Sequence, residues 1–230
     1  MPAPSAPIRY FHRAKQTIET ENVYGEKWLR WTYGGPGGNT ALELLVKRAF
    51  VSRYYGWRMT RKFSAKDVLP FVVKYDLNVD EFAKSPFSFI NFNDFFYRAL
   101  KPGARPLAAL GDDRVAVLPA DGRHLAFPNV DAATGFYAKG QRFNLAAFLG
   151  DEALAREFAG GAMLISRLCP VDYHRFHFPV AGTPGEARLI NGWLYSVSPI
   201  ALRRNLNYLW ANKRMVTLVD SPQFGRVAVC

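Results

Sequence analysis

Cysteine is scarce in this chain: two residues, Cys169 and Cys230, among 230. With the second standing last in the sequence, no disulfide framework is implied, and a reducing, cytosolic setting fits best. No run approaches the roughly 18 apolar residues of a membrane-spanning helix. The opening stretch MPAPSAPIRYFHRAK also lacks the apolar core and small-residue cleavage site of a secretory signal. If such a chain meets a membrane, it lies on it. Neither CxxC nor HExxH occurs, so the common zinc frameworks are missing. Cys169, His174 and His177 would offer three scattered donors without a fourth, and no metal is expected.

Negative charge is in short supply too. The chain carries 19 Asp and Glu against 30 Lys and Arg, a net charge of +11. Residues 1–75 hold thirteen basic and five acidic side chains, so eight of the eleven excess charges sit in the first third. Such asymmetry points to an anionic partner, either a lipid surface or a nucleic acid. No nucleic-acid recognition motif is present, which favours the lipid.

What the chain does have is apolar bulk. Hydrophobic residues make up 49% and aromatics 15%, enough for a substantial core. After the Gly/Pro break at residues 34–38, Thr40 and Glu43 stand at capping-box spacing and predict a helix running through VKRAFVSRYYGWRMTRKF. Leu42, Leu45, Ala49, Met59 and Phe63 share one side of that helix. Lys47, Arg48, Arg53, Arg58, Arg61 and Lys62 spread over the other, interleaved with Phe50, Tyr54 and Trp57. Cations mixed with large rings suit the headgroup layer of a bilayer, although an ordinary solvated helix face reads equally well.

Further helices are expected at KDVLPFVVKYDL and at NFNDFFYRAL, the latter capped by Asn91 or Asn93. The turn sequence KPGARP follows. From Val115 the texture changes to short runs (VAVLPA, AMLISRL, GWLYSVS, RMVTLVD, GRVAVC) that predict strands, interrupted by one helix at DEALAREFA. The expected organisation is a basic, mainly helical region over 1–90 and a β-rich domain over 91–230, an α+β arrangement.

Two of the four histidines, His174 and His177, lie three apart in CPVDYHRFHFPVAG. With Asp121 in LPADGRH they are the candidates for proton transfer, since a carboxylate held against one ring nitrogen fixes the tautomer and stabilises the imidazolium. Pro170 and Pro179 argue against a regular helix there, so the two rings are expected to have different tasks. On spacing alone, two hydrogen-bonded core histidines would be the simpler reading.

The ordered segments FNDFFYRALKPGARP (92–106), LPADGRH (118–124), YAKGQRFNLAAFLG (137–150), CPVDYHRFHFPVAG (169–182) and GWLYSVSPIALRRNLNYLWANKRMVTL (192–218) together resemble the phosphatidylserine decarboxylase family. The resemblance implies a pyruvoyl-dependent carboxy-lyase of phospholipid synthesis. Such an enzyme cuts its own chain at a Gly-Ser bond and turns the serine into a pyruvoyl group, which forms a Schiff base with phosphatidylserine on the way to phosphatidylethanolamine and carbon dioxide.

By motif, Asp121 and His177 join the serine in a self-cleavage triad and His174 assists decarboxylation. None of the 18 glycines is followed by serine. The pyruvoyl serine and the small α-subunit are therefore expected beyond Cys230, leaving a β-subunit that is C-terminally incomplete and inactive alone. A peripheral place on the cytoplasmic face of the cell membrane follows, with phosphatidylserine, anionic lipid and the α-subunit as partners; a homodimer is allowed. The competing readings are an inactive lipid-binding remnant of the family and a decarboxylase of a free aromatic amino acid. Tyr137 and Lys139 lie in a family-like segment with no role that chemistry alone assigns.

Overall fold

The computed structural model describes residues 7–13, 15–43, 47–130 and 143–230. Leu45, Tyr137 and Lys139 lie outside the described residues. The fold mixes helix and sheet. Among the described residues the strands are β1 (Arg9–His12), β2 (Thr17–Thr20), β3 (Arg123–Phe127), β4 (Met163–Arg167), β5 (Thr183–Pro184), β6 (Arg188–Ile190), β7 (Arg214–Ser221) and β8 (Gly225–Val229). Among the described residues no helix is long and apolar enough to cross a membrane.

The chain divides into two compact units, each assembled from three stretches. The first comprises Met1–Ala49, Arg123–Cys169 and Leu189–Arg214. It opens on an antiparallel β1–β2 hairpin, which the expected helical N-terminus did not include. A helix follows at Glu26–Gly34, with Glu26 and Arg30 paired one turn apart. A glycine is needed at position 38, where a Cβ would lie 1.9 Å from the Trp31 carbonyl oxygen. That close approach lets the next helix start at Gly38, so Thr40 lies inside it rather than capping it.

Lys47, expected on a solvated face, is instead buried at 8% exposure. Glu43 pairs with its ammonium, and the Trp193 ring lies beneath it at 4.2 Å. Strands β3 and β4 pair antiparallel, with His124 opposite Ser166 and a 2.9 Å bond between their side chains. Beside this pair the carboxylate of Glu21 takes Arg167 and lies 3.2 Å from the Cys169 thiol. Burial pushes that thiol up to about 11.

The second unit comprises Phe50–Gly122, Pro170–Arg188 and Met215–Cys230. Its core is Val68, Phe71, Val72, Phe82, Phe89 and Phe95. Phe95 meets Phe71 and Phe89 edge-on, a geometry that adds to the burial itself. Ser64 ties the helical stretch to this core: its hydroxyl donates to the Met59 carbonyl and accepts the Phe92 N–H at 2.9 Å. Asn91 caps the helix Phe92–Phe96 by accepting the Asp94 N–H at 2.8 Å, which settles the choice between Asn91 and Asn93.

The predicted strand VAVLPA does not form. Val117 donates to the Pro179 carbonyl at 2.8 Å and His177 to the Pro119 carbonyl at 2.6 Å. Pro119 and Pro179 have no N–H to return, so the ladder stops there. Among the described residues GWLYSVS likewise contributes a single bridge, Trp193 to Asn212. The strands expected at RMVTLVD and GRVAVC form as β7 and β8, which pair antiparallel with each other, and β7 also pairs with β5.

Candidate active site

Asp121 sits in the turn that enters β3. The residue after it, Gly122, has φ +117, a conformation that side-chain-bearing residues rarely adopt. The glycine of Pro-Ala-Asp-Gly therefore lets the chain turn immediately after the carboxylate. Arg105 holds that carboxylate: its Nε lies 2.9 Å and 3.0 Å from the two oxygens, and its NH2 2.8 Å from Oδ2. The other terminal nitrogen of Arg105 reaches Glu81 at 3.0 Å. Asp121 first, and Glu81 after it, hold the Arg105 guanidinium above its ordinary basicity.

His177 is brought towards Asp121 through the backbone. Its N–H donates to the carbonyl of Pro119, two residues before Asp121. The imidazole is exposed and stacks on Tyr173, ring centres 6.0 Å apart. It makes no hydrogen bond to Asp121 among the described residues. A carboxylate has about four acceptor sites, so the three contacts from Arg105 leave Asp121 capacity for a further donor.

His174 is held by a different segment. Its ring stacks on Phe96 at 4.0 Å with the planes inclined by 27°. Arg98, two residues further on, donates from NH2 to the carbonyls of Val171 at 3.0 Å and Asp172 at 3.5 Å. Arg175 donates from Nε to the Tyr97 carbonyl at 3.0 Å. A cavity of about 160 Å³ is lined by Glu81, Arg98, Arg105, Asp121, Asp172 and Tyr173 among others, with Asp121 the one predicted site residue on its wall.

The profile of the family described as phosphatidylserine decarboxylase matches residues 92–230, more than half of the chain. This chain belongs to the phosphatidylserine decarboxylase family. It is 39% identical over 222 residues to the phosphatidylserine decarboxylase proenzyme of Fusobacterium nucleatum, covering 96% of this chain and 73% of that protein. The proenzyme of Chlamydia muridarum is 42% identical over 222 residues, covering 95% and 72%. That of Desulfitobacterium hafniense is 39% identical over 220 residues, covering 96% and 73%.

Sequence reasoning quoted Phe96, Arg98 and Arg105 only as letters of a motif and gave none of them a role. All three lie in the stretch 92–106 that carried the resemblance. Arginines and phenylalanines are too common for spacing to single them out.

Proposed function

We propose that this chain supplies the histidine-bearing part of a phosphatidylserine decarboxylase, which converts phosphatidylserine to phosphatidylethanolamine and carbon dioxide. The observation that carries the reading is the convergence of the Pro-Ala-Asp-Gly turn and the His-x-x-His loop through the His177 to Pro119 backbone bond. The residues present fit a self-derived pyruvoyl group. His177 offers ring nitrogens without hydrogen-bond partners among the described residues, and Asp121 has room to accept.

Asp121 and His177 would take the proton from a serine hydroxyl during self-cleavage, the carboxylate stabilising the imidazolium that forms. When bound, the pyruvoyl group supplies a carbonyl that condenses with the substrate amine and draws off the electrons released as carbon dioxide departs. His174, braced on Phe96, would return the proton to the substrate carbon. Since no glycine here precedes a serine, the reading assigns the pyruvoyl-forming serine and the small subunit to sequence beyond these 230 residues.

Exposed rings and cations support a peripheral seat on anionic lipid at the cytoplasmic face of the membrane. In the helix Ala49–Met59 only Met59 is buried, while Phe50, Tyr54 and Trp57 are 59%, 66% and 49% exposed among arginines. Residues 1–90 would then serve as the lipid-facing region and 91–230 as the domain carrying the chemistry. A second reading, a lipid-binding remnant of the family without activity, would rest on the same exposed rings and cations.

Intact mass of the gene product under denaturing conditions tests the two. A second, small chain with a pyruvoyl-blocked N-terminus, together with release of carbon dioxide from phosphatidylserine, is the expected result. A single uncleaved chain without turnover supports the remnant. A free aromatic amino acid as substrate would be indicated by turnover without binding to anionic vesicles.

A further inference from the structure

We infer that Phe96, Tyr97 and Arg98 form a three-residue template that positions His174, independently of the segment 117–121 that positions His177; the inference rests on the separate roles proposed above for the two histidines. Both histidines sit on one irregular stretch, 170–179, which has no helix or strand of its own to order it. Its two ends are held by different parts of the unit.

The far end is pinned by two backbone bonds, His177 to Pro119 and Val117 to Pro179. The near end is pinned by side chains. Arg98 bonds the carbonyls of Val171 and Asp172, Arg175 bonds the carbonyl of Tyr97, and Phe96 lies flat against the His174 ring. Three consecutive residues thus contact the loop on both sides of His174 and at the ring itself.

Arg98 is the costly member. It is only 5% exposed, and its Nε and NH1 have no hydrogen-bond partner among the described residues. The faces of Phe82 and Phe95, at 4.9 Å and 5.0 Å, compensate part of its charge. Burial of a cation on these terms is expensive for a fold that needed only to be stable. Fixing a catalytic ring by two carbonyl bonds two and three residues upstream gives that expense a purpose. Lysine could not replace it, because a single ammonium lacks the planar fork that reaches both carbonyls while lying between rings.

The test separates self-cleavage from turnover in the complete proenzyme. Phe96→Leu keeps an apolar contact but removes the flat ring surface, and Arg175→Ala loosens the same end from an exposed position. Both variants are expected to cleave at the wild-type rate. Their kcat on phosphatidylserine should fall about tenfold for Phe96→Leu and severalfold for Arg175→Ala, at unchanged KM, as expected of a misplaced catalytic group. Phe96→Tyr is expected to restore kcat.

Turnover unchanged in both variants, or self-cleavage falling in step with kcat, would overturn the inference. His174→Ala serves as the control on the underlying reading. If it turns over normally, the role proposed for His174 fails whatever the Phe96 variants do.

Discussion

The guanidinium of Arg105 lies against both carboxylate oxygens of Asp121, its Nε at 2.9 Å and 3.0 Å and its NH2 at 2.8 Å, and its remaining nitrogen meets Glu81. The arrangement joins the turn before β3 to the stretches around residues 81 and 105, so the position of the proposed triad carboxylate depends on an arginine to which sequence reasoning gave no role.

Arg105 and Asp121 should therefore be energetically coupled. The pair is part-exposed, which discounts its worth, while the two-pronged geometry raises it; a coupling of about 1 kcal/mol is expected. A double-mutant cycle with Arg105→Ala and Asp121→Asn in urea denaturation measures it. Additive single effects would show that the contact contributes nothing.

Stability should decline in alkali. Burial raises the Cys169 thiol from 9.0 to about 11 and the Tyr33 hydroxyl from 10.0 to about 12. Each group holds its proton more tightly folded than unfolded. Its contribution is thus complete below the unfolded value and lost as pH climbs through the folded one. Thermal melts should show a falling midpoint from about pH 9 towards pH 12, with the lower part of the fall reduced in Cys169→Ala. In the native protein at neutral pH, iodoacetamide should label the exposed Cys230 and spare Cys169.

Removing the rings of the helix Ala49–Met59 should weaken lipid binding without weakening the fold. Tyr54 and Trp57 stack on one another, centres 5.9 Å apart, and both are exposed. Trp57→Ser is expected to reduce affinity for phosphatidylserine-containing vesicles by about tenfold, the scale of one buried aromatic. Its melting temperature should stay the same. Raising salt should weaken binding further through the arginines. Vesicle co-sedimentation reads all of this, and equal binding by both proteins would remove the helix from the lipid-facing surface.

Phe95 should be the most sensitive core position in its unit. It is fully buried and meets Phe71, Phe82, Phe89 and Phe92. Phe95→Ala is expected to cost about 3–5 kcal/mol. Because the helix that holds Phe95 leads into the residues that contact His174, self-cleavage and turnover should both suffer in this variant.

Local signals were readable in the chain itself. The Asn91 cap, the helix begun by Asp151 and the strands β7 and β8 all rest on residues within a few positions of one another, where backbone preference acts directly. Tertiary structure alone decided the rest. It placed Phe96 against His174 and Arg98 against Val171, pairs separated by more than 70 residues. It buried Lys47 over the Trp193 ring where the helical wheel put it in water. It also brought 117–119 against 177–179, where the missing N–H groups of Pro119 and Pro179 stop the ladder. Such pairings are chosen by packing among distant segments, and spacing along the chain carries no record of them.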